Sequence, residues 1–160
     1  MSEFRTLSKT SSDFAPYLLG TFSKDKRALP VQTLNVNSQS ETVTFKVVPV
    51  SEIERPPLVS FVFQIFKVRH FLLVLTPVFL VLMKLINSGI ILNKSIVGFM
   101  VFGVILAFIS TNLRNEFADH VLGGDRVLPQ GGSRAIQKGW ITAEGIKKIS
   151  MGFLILACLY

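Results

Sequence analysis

Cysteine is almost absent from this sequence, which contains a single one, Cys158. One cysteine excludes an internal disulfide framework, and it also excludes a zinc site built on paired cysteines. Charged residues are scarce too, at 17% of the chain against about 25% in an ordinary soluble domain. The first 27 residues contain no continuous apolar core, so the sequence predicts no cleaved signal peptide.

Acidic residues are fewer than basic ones, and the chain carries a formal net charge of +7. The 17 lysines and arginines are spread along the chain and mostly flank apolar runs. They form no basic stripe interleaved with aromatic rings, which is the pattern of a nucleic-acid-binding surface. The sequence therefore predicts no nucleic-acid partner, and we expect the basic residues to set membrane topology instead.

The first 58 residues are polar and rich in serine and threonine. Val31–Val36 and Thr42–Val48 each alternate in part between apolar and polar residues, and the polar residues 37–41 separate them. This pattern predicts a small β-hairpin. Because an isolated hairpin is only marginally stable in water, residues 1–58 are expected to form either a flexible arm or an element docked on the membrane part.

Long apolar runs are the main feature of the rest of the chain. Phe71–Leu92 is one candidate membrane span, and Ser95–Leu113 is another, with 19 residues and no charge; about 20 apolar residues cross a bilayer. A third run, Ile149–Tyr160, reaches only ~18 Å as a helix, so we expect it to be the start of a third span. The predicted fold is an all-α membrane protein in which residues 59–160 form a truncated helix bundle.

The distribution of basic residues around these runs predicts an orientation. Lys67 and Arg69 precede the first span, one lysine lies between the two spans, and six basic residues lie between positions 114 and 148. Loops rich in lysine and arginine remain in the cytoplasm. The N-terminus and residues 114–148 are therefore expected on the cytoplasmic side of an integral membrane protein.

The most informative stretch follows the second span. Asn115, Glu116 and Asp119 come three, four and seven residues after Asn112, so a continued helix brings these four side chains into one stripe. Carboxylate and amide oxygens are hard ligands that favour Mg2+ over zinc. His120 lies about 100° around the helix from this acidic stripe, and we expect it to be solvated or at an interface rather than catalytic.

A glycine pair follows the acidic stripe. Gly123 and Gly124 are expected to end the helix and to turn the chain so that Asp125 returns toward the carboxylates. Next come a Gly-Gly-Ser turn at residues 131–133 and basic side chains that suit an anion, namely Arg126, Arg134 and Lys138. Since Mg2+ commonly binds carboxylates together with phosphates, the sequence predicts a metal-bridged diphosphate site. The alternative is that these polar residues simply lie among lipid headgroups.

Residues 112–125 read Asn-x-x-Asn-Glu-x-x-Asp-x-x-x-Gly-x-Asp. This ordered string resembles the first Asp-rich motif of the UbiA superfamily of intramembrane prenyltransferases. It is most similar to the branch of 1,4-dihydroxy-2-naphthoate polyprenyltransferases, whose motif is matched by Asn115, Asp119, Gly123 and Asp125. Glu116 stands where that branch has aspartate. The resemblance covers residues 67–160, and it implies a partial UbiA-like transmembrane bundle.

The resemblance implies transfer of a polyprenyl group from a prenyl diphosphate to an aromatic acceptor such as 1,4-dihydroxy-2-naphthoate, with Mg2+ as the cofactor. Asp119 and Asp125 would be the catalytic residues. The metal set implied is Asn112, Asn115, Glu116, Asp119 and Asp125. The residues implied for the diphosphate are Arg126, Arg134 and Lys138.

The family also uses a second Asp-rich motif, which this sequence does not contain. Activity is therefore expected only in a complete protein or together with a complementary C-terminal half. Two alternatives remain open at this stage. One is a small membrane protein that binds diphosphates or partners without catalysis, and the other is an unrelated two-span scaffold with cytoplasmic arms.

Overall fold

The computed structural model describes residues 3–36, 38–127 and 133–159. Short 3-10 turns at residues 50–52 and 68–70 connect some of the larger elements. Within the described ranges these elements are β1 Glu3–Ser8, α1 Phe14–Leu19, β2 Lys26–Leu34, β3 Thr42–Pro49, α2 Leu58–Ile65, α3 Phe71–Asn87, α4 Lys94–Leu122, α5 Gly124–Val127 and α6 Ala143–Leu159.

Residues 3–49, called the sheet unit below, contain an antiparallel sheet with the strand order β1-β3-β2. The hairpin predicted from the alternating pattern is present, because β2 pairs with β3 and Thr33 lies opposite Val43. β3 is the central strand, and its alternate residues Val43, Phe45 and Val47 are buried, as the period of two in a strand requires. Phe14 of α1 covers them, with its ring centroid 6.3 Å from that of Phe45.

The predicted fold class, an all-α membrane protein with a partial UbiA-like bundle, is wrong. The described residues form a small mixed α/β fold, with a three-stranded sheet and two helices of membrane-spanning length. β1 escapes the sequence prediction because it is mostly exposed. Four of its six residues are exposed, so it has no alternating apolar face to indicate a strand.

Two of the described helices are long and apolar enough to cross a membrane. One covers Val68–Asn87 with a mean hydropathy of 1.9, and the other is α4 with a mean hydropathy of 2.2. α3 ends at Asn87, before the predicted boundary at Leu92, and α4 extends well past Leu113. The most apolar window of the first helix has no buried residue, so its side chains are available to face lipid.

α6 packs along α4 and begins at Ala143, six residues before the apolar run at Ile149. The Ser110 hydroxyl donates a hydrogen bond to the carbonyl oxygen of Ser150 at 2.9 Å, which fixes the two helices side by side. One buried core is shared by α2, α4, α6 and the segment before α6. Its residues are Ile65, Ile109, Leu113, Ala135, Ile136, Ala143 and Ile146.

The sheet unit is docked on the end of α4, so the docked arrangement is the one that the structure adopts. His120 Nε2 lies 2.9 Å from the carbonyl oxygen of Leu18, and Val121 packs on the sheet core. Gly20 ends α1 with a φ of +73°. A Cβ at Gly20 would lie 2.9 Å from the Thr142 side chain, so glycine is required for α1 to approach the start of α6 this closely.

Candidate functional site

The acidic stripe lies on one continuous helix, because α4 does not end until Leu122. Asn115 Nδ2 donates to Asp119 Oδ2 at 3.1 Å, one turn further along. Asn115 is exposed, Asn112 and Asp119 are half-buried, and Glu116 is only 4% exposed. The stripe therefore extends from the surface of the protein into its interior.

Glu116 is held by the segment that precedes α6. Its Oε1 accepts hydrogen bonds from the Ser133 hydroxyl and, at 3.2 Å, from the backbone N–H of Ala135. Its Oε2 is buried and has no hydrogen-bond partner among the described residues. A buried carboxylate oxygen without a donor is unfavourable, and a cation beside it would relieve that cost.

The glycine turn behaves as predicted. Gly123 ends α4 in the left-handed region with a φ of +83°, and a Cβ there would lie 2.9 Å from the Arg126 guanidinium. At Gly124 the Cβ position is 3.6 Å from the carbonyl oxygen of Asp119, so the chain folds back over the end of the stripe. Asp125 follows on α5, close to the other carboxylates.

Asp125 accepts a hydrogen bond from the Gln137 side-chain amide. Burial is the largest influence on its pKa and raises it, and the Gln137 hydrogen bond opposes this rise. The negative charges of Asp119 and Glu116 raise the pKa of Asp125 further, while Arg134 lowers it. Asp125 therefore lies close enough to Asp119 and Glu116 for their negative charges to disfavour its ionisation.

The chemistry of these donors suits Mg2+, although the described residues form no complete metal cage. Within the ranges that the structure describes, no three His, Cys, Asp or Glu side chains converge as metal ligands. Mg2+ is usually held by one or two carboxylates together with phosphate oxygens and water. The unpartnered Glu116 oxygen and the negative charges around Asp125 are compatible with that mode. The predicted metal set of Asn112, Asn115, Glu116, Asp119 and Asp125 stays a prediction.

The three residues predicted to contact a diphosphate lie in two different places. Two of them, Arg134 and Lys138, line an open cavity of about 640 Å3 that lies beside α2 and the start of α3. No described carboxylate lines this basic cavity. Its basic residues are Lys67, Arg69, His70, Arg134 and Lys138.

Two residues at the basic cavity have strained backbones. Lys67 has a φ of +50° and Arg134 a φ of +55°. A non-glycine residue in this left-handed region costs about 1–3 kcal/mol, and such strain concentrates at functional sites. Asn35 is the other non-glycine residue of this kind in the described part of the chain.

Arg126 is not among the residues that line the basic cavity. Its Nη2 is 2.7 Å from Glu41 Oε1, and its Nη1 donates to the carbonyl oxygen of His120 at 3.1 Å. The side chains of Arg126 and Glu41 are 5% and 3% exposed. In this structure the charge of Arg126 is neutralised by the sheet unit, and its contact with a diphosphate stays a prediction.

Of the two positions expected for His120, the solvated one is wrong, since its exposure is 1%. The sheet unit covers that face of α4, and a long-range contact of this kind leaves no local pattern in the sequence. Sequence reasoning also assigns no site role to Glu41, Gln137 or Lys67. Glu41 and Gln137 belong to no motif, and the position of Lys67 before an apolar run indicates topology equally well.

The Gly-Gly-Ser turn is described only in part. Ser133 is buried and contacts Glu116, whereas Gly131 and Gly132 lie outside the described residues. The prediction that the whole turn approaches an anion therefore stays a prediction.

No family model matches the chain, and no curated protein or solved structure is significantly similar to it. The resemblance to the UbiA superfamily therefore depends on the residues of the motif.

Proposed function

We propose that this chain binds the diphosphate of a prenyl diphosphate together with Mg2+, and that it does so for transfer of the prenyl group to an aromatic acceptor such as 1,4-dihydroxy-2-naphthoate. The observation that carries the proposal is the position of the basic cavity next to the acidic stripe. Ser133 belongs to both, because it lines the cavity and donates its hydroxyl hydrogen to Glu116.

The charges on the two sides complement a metal-bridged diphosphate. Carboxylates that repel one another, such as Asp119 and Asp125, are stabilised by a divalent cation. The arginines of the basic cavity match phosphate oxygens through paired N–H groups, and its lysines act as point charges. A diphosphate that shares its oxygens between the cation and the cavity would satisfy both sets of residues at once.

The apolar helices support a substrate with a lipid-soluble tail. Lys67 and Arg69 lie at the start of the first candidate span, Val68–Asn87, and the acidic stripe lies at the end of the second. Two consecutive spans that cross in opposite directions bring these ends to the same side of a bilayer. We assign that side to the cytoplasm, together with the N-terminus and residues 114–148, because the basic residues concentrate there.

The proposed reaction forms a carbon–carbon bond between the acceptor ring and the allylic carbon as the bond from that carbon to the diphosphate oxygen breaks. The ring then loses a proton. When bound, Mg2+ would neutralise charge on the departing diphosphate. Arg134 and Lys138 would hold its oxygens, and apolar surroundings would keep water from the reactive carbon.

Binding of farnesyl diphosphate to the chain in lipid nanodiscs, with and without Mg2+, tests this proposal. Arg134→Gln should weaken binding about tenfold, since one charge-assisted hydrogen bond contributes about 1.5–3 kcal/mol. Arg114→Gln, an exposed arginine of α4 outside the basic cavity, should leave the affinity unchanged. Failure of the unsubstituted chain to bind in either condition would overturn the proposal.

Prenyl transfer is measured in membranes that contain the chain together with a polypeptide that carries a second Asp-rich motif. Farnesyl diphosphate and 1,4-dihydroxy-2-naphthoate are added as the two substrates. Prenylated product that depends on Mg2+ and on Asp125 is the expected result. Binding without product would favour the alternative of a diphosphate-binding membrane protein that is not an enzyme.

A further inference from the structure

We infer that Glu41, in the sheet unit, is a positioning residue for the carboxylate site: its ion pair with Arg126 fixes the turn that carries Asp125. The inference rests on the proposed function, because it concerns how that site acquires its geometry. It also gives the sheet unit a role in the site, although none of the residues predicted to bind metal or diphosphate lies within residues 3–49.

The turn is held from two sides. Asp125 and Arg126 are neighbours on the four-residue helix α5, so their side chains point in different directions around it. The Asp125 carboxylate accepts from Gln137 on one side, and the Arg126 guanidinium pairs with Glu41 on the other. Displacement of the guanidinium would therefore move the carboxylate with it.

Glu41 is itself firmly fixed. It is 2% exposed and immediately precedes β3, the central strand of the sheet. Its second carboxylate oxygen lies 3.4 Å from Lys9 Nζ, and its carbonyl oxygen accepts from the backbone N–H of Lys9 at 2.8 Å. The anchor for Arg126 is thus a charge built into the sheet rather than a mobile surface side chain.

A buried ion pair suits this role better than apolar packing would. Burying two paired charges adds little net stability. Separating them is costly, because each charge is then buried without its partner. Apolar side chains at the same positions would still pack if the turn slid by an ångström or two. The ion pair between Glu41 and Arg126, at 2.7 Å, instead weakens as its two charges separate.

The test compares Glu41→Gln with a matched control, Glu3→Gln. Glu3 lies on β1 of the same sheet and pairs with Arg5 at the same distance of 2.7 Å, but that pair is half exposed. For Glu41→Gln we expect the Mg2+ concentration that supports half-maximal farnesyl diphosphate binding to rise about fivefold or more. The affinity at saturating Mg2+ should stay near that of the unsubstituted chain, which a general loss of structure would not allow.

Glu41→Asp, which keeps the charge, should restore most of the Mg2+ response. If circular dichroism shows that Glu41→Gln does not fold, Glu41→Asp is compared with Glu3→Asp instead. The shorter side chain of Glu41→Asp should raise the Mg2+ midpoint, which is the Mg2+ concentration that supports half-maximal binding, about twofold. A folded Glu41→Gln variant with an unchanged Mg2+ midpoint would overturn the inference while leaving the proposed function intact.

Hydrogen exchange across residues 123–127 gives a readout that needs no ligand. Exchange there should be faster in Glu41→Gln than in Glu3→Gln, and equal exchange in the two variants would overturn the inference. Absence of farnesyl diphosphate binding by the unsubstituted chain would instead refute the proposed function, and the exchange comparison would still decide the role of Glu41.

Discussion

Ser133 donates its hydroxyl hydrogen to Glu116, a residue 17 positions earlier in the chain. Ala135 donates its backbone N–H to the same carboxylate oxygen at 3.2 Å. These two bonds attach the segment that carries Arg134 to the end of α4. The two bonds therefore hold the segment that carries Ser133, which lines the basic cavity, against the acidic stripe.

Ser133→Ala should destabilise the folded chain by about 1–3 kcal/mol, because it leaves the Glu116 carboxylate buried with one donor fewer. Urea unfolding in detergent, followed by circular dichroism, measures the difference. Ser88→Ala is the matched control, since Ser88 is exposed and its hydroxyl donates to the carbonyl oxygen of Lys84. Equal free energies of unfolding for the two variants would contradict the role given to Ser133.

The raised pKa of Asp125 predicts a pH dependence of stability. Because the pKa is higher in the folded chain than in the unfolded chain, ionisation of Asp125 opposes folding. This penalty is absent below the ordinary aspartate pKa, and it grows as the pH rises from there through the raised pKa. Asp125→Asn should remove this decrease in stability with rising pH, as measured by unfolding across the acidic range without Mg2+.

Asp13→Asn, at an exposed position in the sheet unit, is the control for the pH experiment. Its stability profile should follow that of the unsubstituted chain. A profile for Asp125→Asn that also follows it would show that the pKa of Asp125 is not raised in the folded chain.

His120→Ala should loosen the sheet unit from α4. The His120 ring bonds the carbonyl oxygen of Leu18 at 2.9 Å in a buried setting, so its loss leaves that carbonyl without its partner and opens a cavity. We expect a loss of at least about 1 kcal/mol and faster hydrogen exchange across residues 14–20. His70→Ala, at an exposed position, should change neither quantity, and the same behaviour in both variants would refute this contact.

Cysteine labelling tests the assigned orientation. In a Cys158→Ser background, Ser88→Cys lies between the two candidate spans and Thr10→Cys lies in the sheet unit, and both positions are exposed. A membrane-impermeant maleimide should label Ser88→Cys in intact cells and Thr10→Cys only after permeabilisation. The reverse pattern would place the N-terminus outside the cell.

Local patterns predict much of this structure. The alternation in Thr42–Val48 predicts its pairing with β2, and the glycines after Leu122 predict the end of α4. In both cases the residues that predict the structural element lie within a few positions of it in the sequence. The spacing that defines the acidic stripe is also local, and the helix does continue through it.

Features that depend on tertiary contacts escape prediction. β1 is an edge strand that is recognisable only by its pairing with β3. Arg126 belongs to the same charged string as Arg134, yet docking of the sheet unit brings Glu41 to it and buries both side chains. Because of that docking, Arg126 is in an ion pair, whereas Arg134 lines the open cavity.

The central claim, a diphosphate site that depends on Mg2+, is tested most directly by titrating farnesyl diphosphate into the nanodisc-bound chain and its Asp119→Asn variant. We predict binding that disappears when EDTA removes Mg2+ and that weakens at least about tenfold in Asp119→Asn, which corresponds to about 1.4 kcal/mol. Asp13→Asn should bind like the unsubstituted chain. Binding of equal affinity with and without Mg2+, unaffected by Asp119→Asn, would contradict the claim.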